Sequence, residues 1–129
     1  MDQGPLVIQQ IDAGERFLNE FHKTLPVTAA CWVKEVDNES WYLYVASEKI
    51  DHGNVRDGYL EVIRLANEMS DSFFDPFQVK LIKDDHPIAM ATKDFSRRWP
   101  GRLPTRCQVG RFGDRYVDDV YVYALPATV

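Results

Sequence analysis

Residues 28–46 read TAACWVKEVDNESWYLYVA, two runs rich in Val, Trp, Tyr and Thr separated by Asp37-Asn38-Glu39. Such residues suit a pleated, half-buried surface and the polar trio supplies turn chemistry, so Thr28–Val36 and Ser40–Ala46 are expected to form a β-hairpin. In the second run Trp41, Leu43 and Val45 alternate with Tyr42, Tyr44 and Ala46. Both faces of that strand are apolar enough to require cover.

Before the hairpin, Val7, Ile11, Leu18, Phe21 and Leu25 recur at steps of three and four, with Gly14 in the remaining place, the stripe of an amphipathic helix. Pro5 suits its first turn and Pro26 marks its end. Asp12 followed by Glu15 offers a later start of capping-box type, which leaves Leu6–Ile11 extended; the longer helix is the expectation retained. Gly14 is about 1 kcal/mol worse than Ala inside a helix unless a neighbour packs closely on it.

After the hairpin, Asn54 is placed to cap a second helix that turns Val55, Tyr59, Val62, Ile63, Ala66 and Met69 inward. Phe77–Lys83 and Ile88–Phe95 read as strands joined by Asp84-Asp85-His86-Pro87, and Thr105–Phe112 and Tyr116–Leu125 as a last hairpin across Gly113-Asp114. Phe73, Phe74 and Phe77 are expected to close the core between helix and strand. The order α-β-β-α-β-β-β-β indicates the α+β class: two helices packed on one face of a mostly antiparallel sheet of about six strands, in a single domain spanning residues 1–129.

A chain of 129 residues with 45% hydrophobic residues can bury a core without disulfides. Cys31 and Cys107 form no Cys-x-x-Cys pair and no zinc spacing, so they are read as ordinary buried thiols, and neither a metal nor a cofactor is expected. The first residues are neither basic nor followed by a signal-type apolar run, and no stretch approaches the ~20 apolar residues of a membrane span. A cytoplasmic protein without membrane contact is the expectation. The formal net charge of −5 argues against coating nucleic acid through overall charge.

Charge is nevertheless segregated along the chain. Residues 97–115 hold six arginines, Arg97, Arg98, Arg102, Arg106, Arg111 and Arg115, against one acid, Asp114, a net of +5; the remainder holds nine basic and nineteen acidic residues, a net of −10. Pro100, Gly101 and Pro104 break regular structure, so Arg97–Pro104 is expected to be a surface loop, continued by the polar Arg106 and Gln108 of the next strand. Guanidinium pairs bidentately with carboxylate or phosphate, and Trp99 can stack on a base or an arginine or anchor a protein interface. The expected function is therefore a non-catalytic binding module. Its Arg97, Arg98, Trp99, Arg102, Arg106, Arg111 and Arg115 would contact an anionic macromolecule, an acidic protein in preference to nucleic acid. The bland counterpart is that each arginine pairs with its own surface acid. An exposed sheet edge, or the hairpin around Trp41, is also expected to be able to support a homodimer.

Two other readings remain open in the sequence. Asp51-His52, Asp84-Asp85-His86 and Asp118-Asp119 would serve a small metal-dependent enzyme of hydrolase or nuclease type if folding gathered them; individually they read as helix lead-in, turn and strand bulge. Gln78-Val79-Lys80 after Asp75 has part of the carboxylate-then-lysine arrangement of metal-dependent nucleases, but Gln stands where the usual acid would be. His22 is expected to be solvated. An acidic, inhibitor-like protein covering a basic enzyme through Asp12, Glu15 and Glu20 is the third reading. No serine-elbow, phosphate-loop or RNA-sheet motif occurs.

Overall fold

The structure, a computed structural model, describes residues 6–107 and 110–125, with the Arg102 side chain outside the described set. The 28–46 hairpin forms as expected: β1 (Ala29–Glu35) runs antiparallel to β2 (Trp41–Ser47), Cys31 opposite Tyr44 and Val33 opposite Tyr42. Asp37 takes a left-handed conformation in the turn (φ 68°), which a short side chain able to bond locally tolerates.

Around it lies a six-stranded, mostly antiparallel sheet in the order β3-β2-β1-β6-β4, with β5 also on β6. β3 (Val79–Lys83) is the exception and runs parallel to β2, because α2 (Val55–Met69) carries the chain back between them. α1 (Ile8–Thr24) and α2 cover one face, where Phe17, Phe21, Val62 and Leu65 pack on Trp32, Trp41 and Leu43. These are the two expected helices on one face, and the chain is of the α+β class.

The other face has a cover the sequence reading did not supply. Ile88–Phe95, expected as a strand, belongs to a third helix among the described residues, α3 (Pro87–Arg98). Its Ile88 packs with Cys31, Val33, Tyr44 and Val122 on the opposite side of the sheet from α1 and α2. The physical reasons were present: Pro87 at the first turn, inward positions at Ile88, Ala89 and Thr92, and Arg97 and Arg98 in the last turn, where cations favour a helix C-terminus. This also resolves why both faces of β2 are apolar.

Other boundaries shift for local reasons. α1 begins at Ile8, not at Asp12, and the Val7 N–H is held by Gln10 Oε1 at 3.1 Å; Pro5 lies outside the described residues. The buried stripe of α2 is Gly58, Val62 and Leu65, which leaves Tyr59 and Ile63 largely exposed. Asn54 stands at its N-cap, yet Asn54 Oδ1 accepts the Asp51 N–H at 2.8 Å instead of a helical one. Phe77 and Gln78 form a 3₁₀ turn, Pro76–Gln78, ahead of β3. Of the three phenylalanines only Phe74 enters the core, while Phe73 is 45% and Phe77 83% exposed.

The last hairpin keeps one register on both sides of residues 108–109, which lie outside the described set. β4 (Thr105–Cys107) pairs with β6 (Arg115–Val122) from Thr105↔Val122, and β5 (Arg111–Phe112) closes it at Phe112↔Arg115 across Gly113-Asp114. Against β1, Lys34 faces Asp119 while Glu35 faces Val117, so Asp118 is the extra residue of a β-bulge. At the far edge β3 is partly closed. Its Val79 N–H is taken by Pro76 O, its Leu81 N–H by the Tyr59 hydroxyl at 3.0 Å, and its Lys83 carbonyl by the His86 N–H at 3.0 Å.

Candidate functional site

The arginine segment does not form one loop-borne patch. α3 extends through Arg97 and Arg98, a 3₁₀ turn covers Pro100–Arg102, and the guanidinium groups divide between the two faces of the sheet. Arg97 and Arg98 project from the last turn of α3, where both pair with Asp94, Arg98 Nε at 3.1 Å. Trp99 closes the helix, donating its N–H to the Phe95 carbonyl at 3.0 Å, and its ring rests on the Phe95 ring with centroids 5.0 Å apart. It remains 41% exposed. The Arg102 side chain lies outside the described residues.

Arg106 turns to the α1/α2 face. It stands opposite Tyr121, pairs with Asp119 at 2.8 Å, and lies over the Trp41 ring at 5.3 Å. Asp119 shares the face of Tyr121 by strand alternation, next to the register shift at Asp118; Asp118 itself meets Lys34 at 2.9 Å. Arg115, on the α3 side, bridges Glu35 and Asp114 and lies over Tyr44. Burial, opposed by the Arg115 charge, pushes the Tyr44 hydroxyl up to about 12. Arg106 and Arg115 are thus engaged within the fold.

Arg111 differs. Among the described residues it has no carboxylate partner, and its guanidinium lies 5.8 Å from the Tyr116 ring. With Ala91, Asp94, Phe95, Trp99 and Gly113 it lines a groove of about 170 Å³. Arg97 and Arg98 leave Asp94 outnumbered beside it. The structure therefore brings Arg97, Arg98 and Trp99 to the α3 side and sends Arg106 to the other face, while Arg111 borders the groove from β5 with its guanidinium on the Tyr116 ring. The sequence reading missed Phe95 and Asp94 as members of this site, because it read their segment as a strand; Pro87 and the basic last turn were the available signals.

The scattered acids and histidines gather only in part. Asp51, His52 and His86 line one crevice at the end of β3, whereas Asp84 is held by Thr28 and Lys93, and Asp118 lies elsewhere on the sheet. Among the described residues no group of three His, Cys, Asp or Glu side chains is placed to hold a metal ion. Gln78 is buried and stands where a nuclease-like set before Lys80 would carry an acid. His22, expected in solvent, accepts the Val27 N–H on Nδ1 at 2.9 Å and fastens the turn after α1. Cys31 is buried, its thiol pushed up to about 12 by that burial, and Cys107 is half-buried. No described helix is long and apolar enough to cross a membrane.

Comparison with protein-family models, curated proteins and solved structures found no match for this chain.

Proposed function

We propose that this protein is a non-catalytic binding domain that takes an acidic protein segment across the end of α3. The observation that carries the reading is the groove shared by Trp99 and Arg111, an exposed aromatic set on Phe95 and flanked by Arg97 and Arg98. Trp and Arg are the side chains most enriched where interfaces concentrate their binding energy. A partly exposed ring supplies apolar area while adjacent guanidinium groups select carboxylates. Nucleic acid is the weaker reading, because arginines split between two sheet faces give no continuous track for a phosphate backbone. The free thiols Cys31 and Cys107 suit a reducing compartment, and we assign the domain to the cytoplasm.

Trp99 is the one exposed member of three tryptophans, so its fluorescence reports on this site. Peptides of alternating Glu and aromatic residues are expected to shift that emission, and the double variant Arg98→Glu, Arg111→Glu should weaken them about tenfold or more at low salt. Arg106→Gln should leave their binding unchanged. Equal binding by the double variant, or tighter capture of a single-stranded oligonucleotide than of the peptides, overturns the proposal.

A further inference from the structure

A second site lies where the parallel strands end. β2 and β3 stop level with one another, Ser47 paired with Lys83, and the chain leaves them in opposite directions: into α2 on one face of the sheet and α3 on the other. In open sheets with parallel strands, the crevice outside the carboxyl ends at such a divergence is where ligands bind. Here that crevice is a cavity of about 230 Å³ with an apolar floor of Ile50, Val55, Leu81 and Ile82 and a rim of Asp51, His52, Lys83 and His86.

We propose that this crevice binds a small organic anion with an apolar body, of the size of a branched short-chain or aromatic carboxylate. Asp51 Oδ1 is already occupied, accepting the Gly53 N–H at 2.7 Å and the Asn54 N–H at 3.0 Å. Asp84, next along the rim, is held by Thr28 and Lys93. His86 Nδ1 accepts the Ile88 N–H at 3.0 Å, which places the proton of the neutral ring on Nε2 as a donor. Among the described residues Lys83 Nζ has no salt-bridge partner, and the His52 ring no hydrogen bond. Lys83 Nζ and the His86 Nε2–H, at the end of β3, are thus uncommitted donors at the crevice, while Asp51 keeps one oxygen unengaged on the rim. Glu48 and Asp85 lie beyond Lys83 in the adjoining depression and repel a second negative charge there, so a monoanion fits better than a dianion. The volume matches a molecule of a few heavy atoms beyond a carboxylate, since ligand pockets for drug-sized molecules run to about 300–1,000 Å³.

The site is separate from the groove of Trp99 and Arg111, and neither reading rests on the other. The test is an amide-resolved NMR titration of the full chain with 3-methylbutanoate and benzoate, set against the neutral amides and 3-methylbutylamine. Saturable shifts confined to Val55, Leu81–Lys83 and His86 are expected for the carboxylates, with the amides at least about fivefold weaker and the amine weaker still. Lys83→Met, an exposed strand-end change whose folding the same spectra verify, should weaken the carboxylates by about fivefold while leaving the amides unaltered. Val55→Phe, which fills the floor, should remove both. Absence of saturable shifts at these residues, amides binding as tightly as carboxylates, or preference for the amine each overturns the proposal.

Discussion

Arg106 and Asp119 meet across the last hairpin at 2.8 Å, on the face of the sheet opposite to α3. Asp119 is only 8% exposed, and its Oδ1 has no hydrogen-bond partner among the described residues. The arginine therefore neutralises an inward-turned carboxylate beside Tyr121, and it contributes to the fold more than to any surface.

Removing Arg106 leaves that charge buried and unpaired, whereas removing both partners leaves nothing to desolvate. Arg106→Ala is accordingly expected to destabilise the protein by about 1–3 kcal/mol, with the double change Arg106→Ala, Asp119→Ala less damaging than the single one. Urea unfolding of the parent, the single and the double variant checks the order; a double variant less stable than Arg106→Ala contradicts it.

Gly14 is explained by a residue more than a hundred positions away. A Cβ there would land on the Tyr123 hydroxyl, which accepts the Trp32 indole N–H at 2.8 Å and donates to the Ile11 carbonyl at 2.8 Å. Gly14→Ala should thus lose stability by about 1–3 kcal/mol despite Ala's helix propensity, because the clash breaks a buried two-bond junction between α1 and the sheet. Near-ultraviolet circular dichroism and thermal unfolding measure this, and a more stable Gly14→Ala protein would refute the packing argument.

The first and last hairpins were legible because period-two patterns and turn residues are local properties. Even the opposition of Arg106 to Tyr121 follows from a turn centred on Gly113-Asp114. α3 was not legible in the same way: Ile88-Ala89-Met90-Ala91-Thr92 is short and apolar enough to satisfy either period, and only Pro87 and the basic last turn separated the two. The candidate site suffered more, since a guanidinium's partner depends on which face its strand presents and on which carboxylates distant strands bring to that face. Arg97 and Arg98 ended on the α3 side and Arg106 on the other face for that reason.

Phe74 and Phe77 offer a contrast within four residues. Phe74 stacks on Phe17 with centroids 4.7 Å apart, while Phe77 is 83% exposed. Phe74→Ala is expected to cost about 3–5 kcal/mol, and Phe77→Ser to stay within about 0.5 kcal/mol of the parent. Equal losses at the two positions would place Phe77 in a core the structure does not give it.

His86 makes the start of α3 sensitive to acid. Its Nδ1 accepts the Ile88 N–H only while unprotonated, and burial, with Arg115 acting the same way against the opposing charges of Asp114 and Asp85, holds its pKa below the ordinary 6.5. The folded state therefore binds this proton less readily than the unfolded chain. The contribution of the neutral ring is complete above 6.5 and is lost as pH falls from there through the lowered folded value. Following the His86 ring proton by NMR should give a midpoint below that of the unfolded chain, with the Ile88 and Ala89 amides less protected, relative to their intrinsic exchange rates, on its acid side. His86→Asn keeps a capping acceptor without the titration, so it should flatten the stability profile over that interval while leaving α3 intact. A midpoint at or above the ordinary value, or an unchanged profile in the Asn variant, would show that the cap does not depend on the charge of this ring.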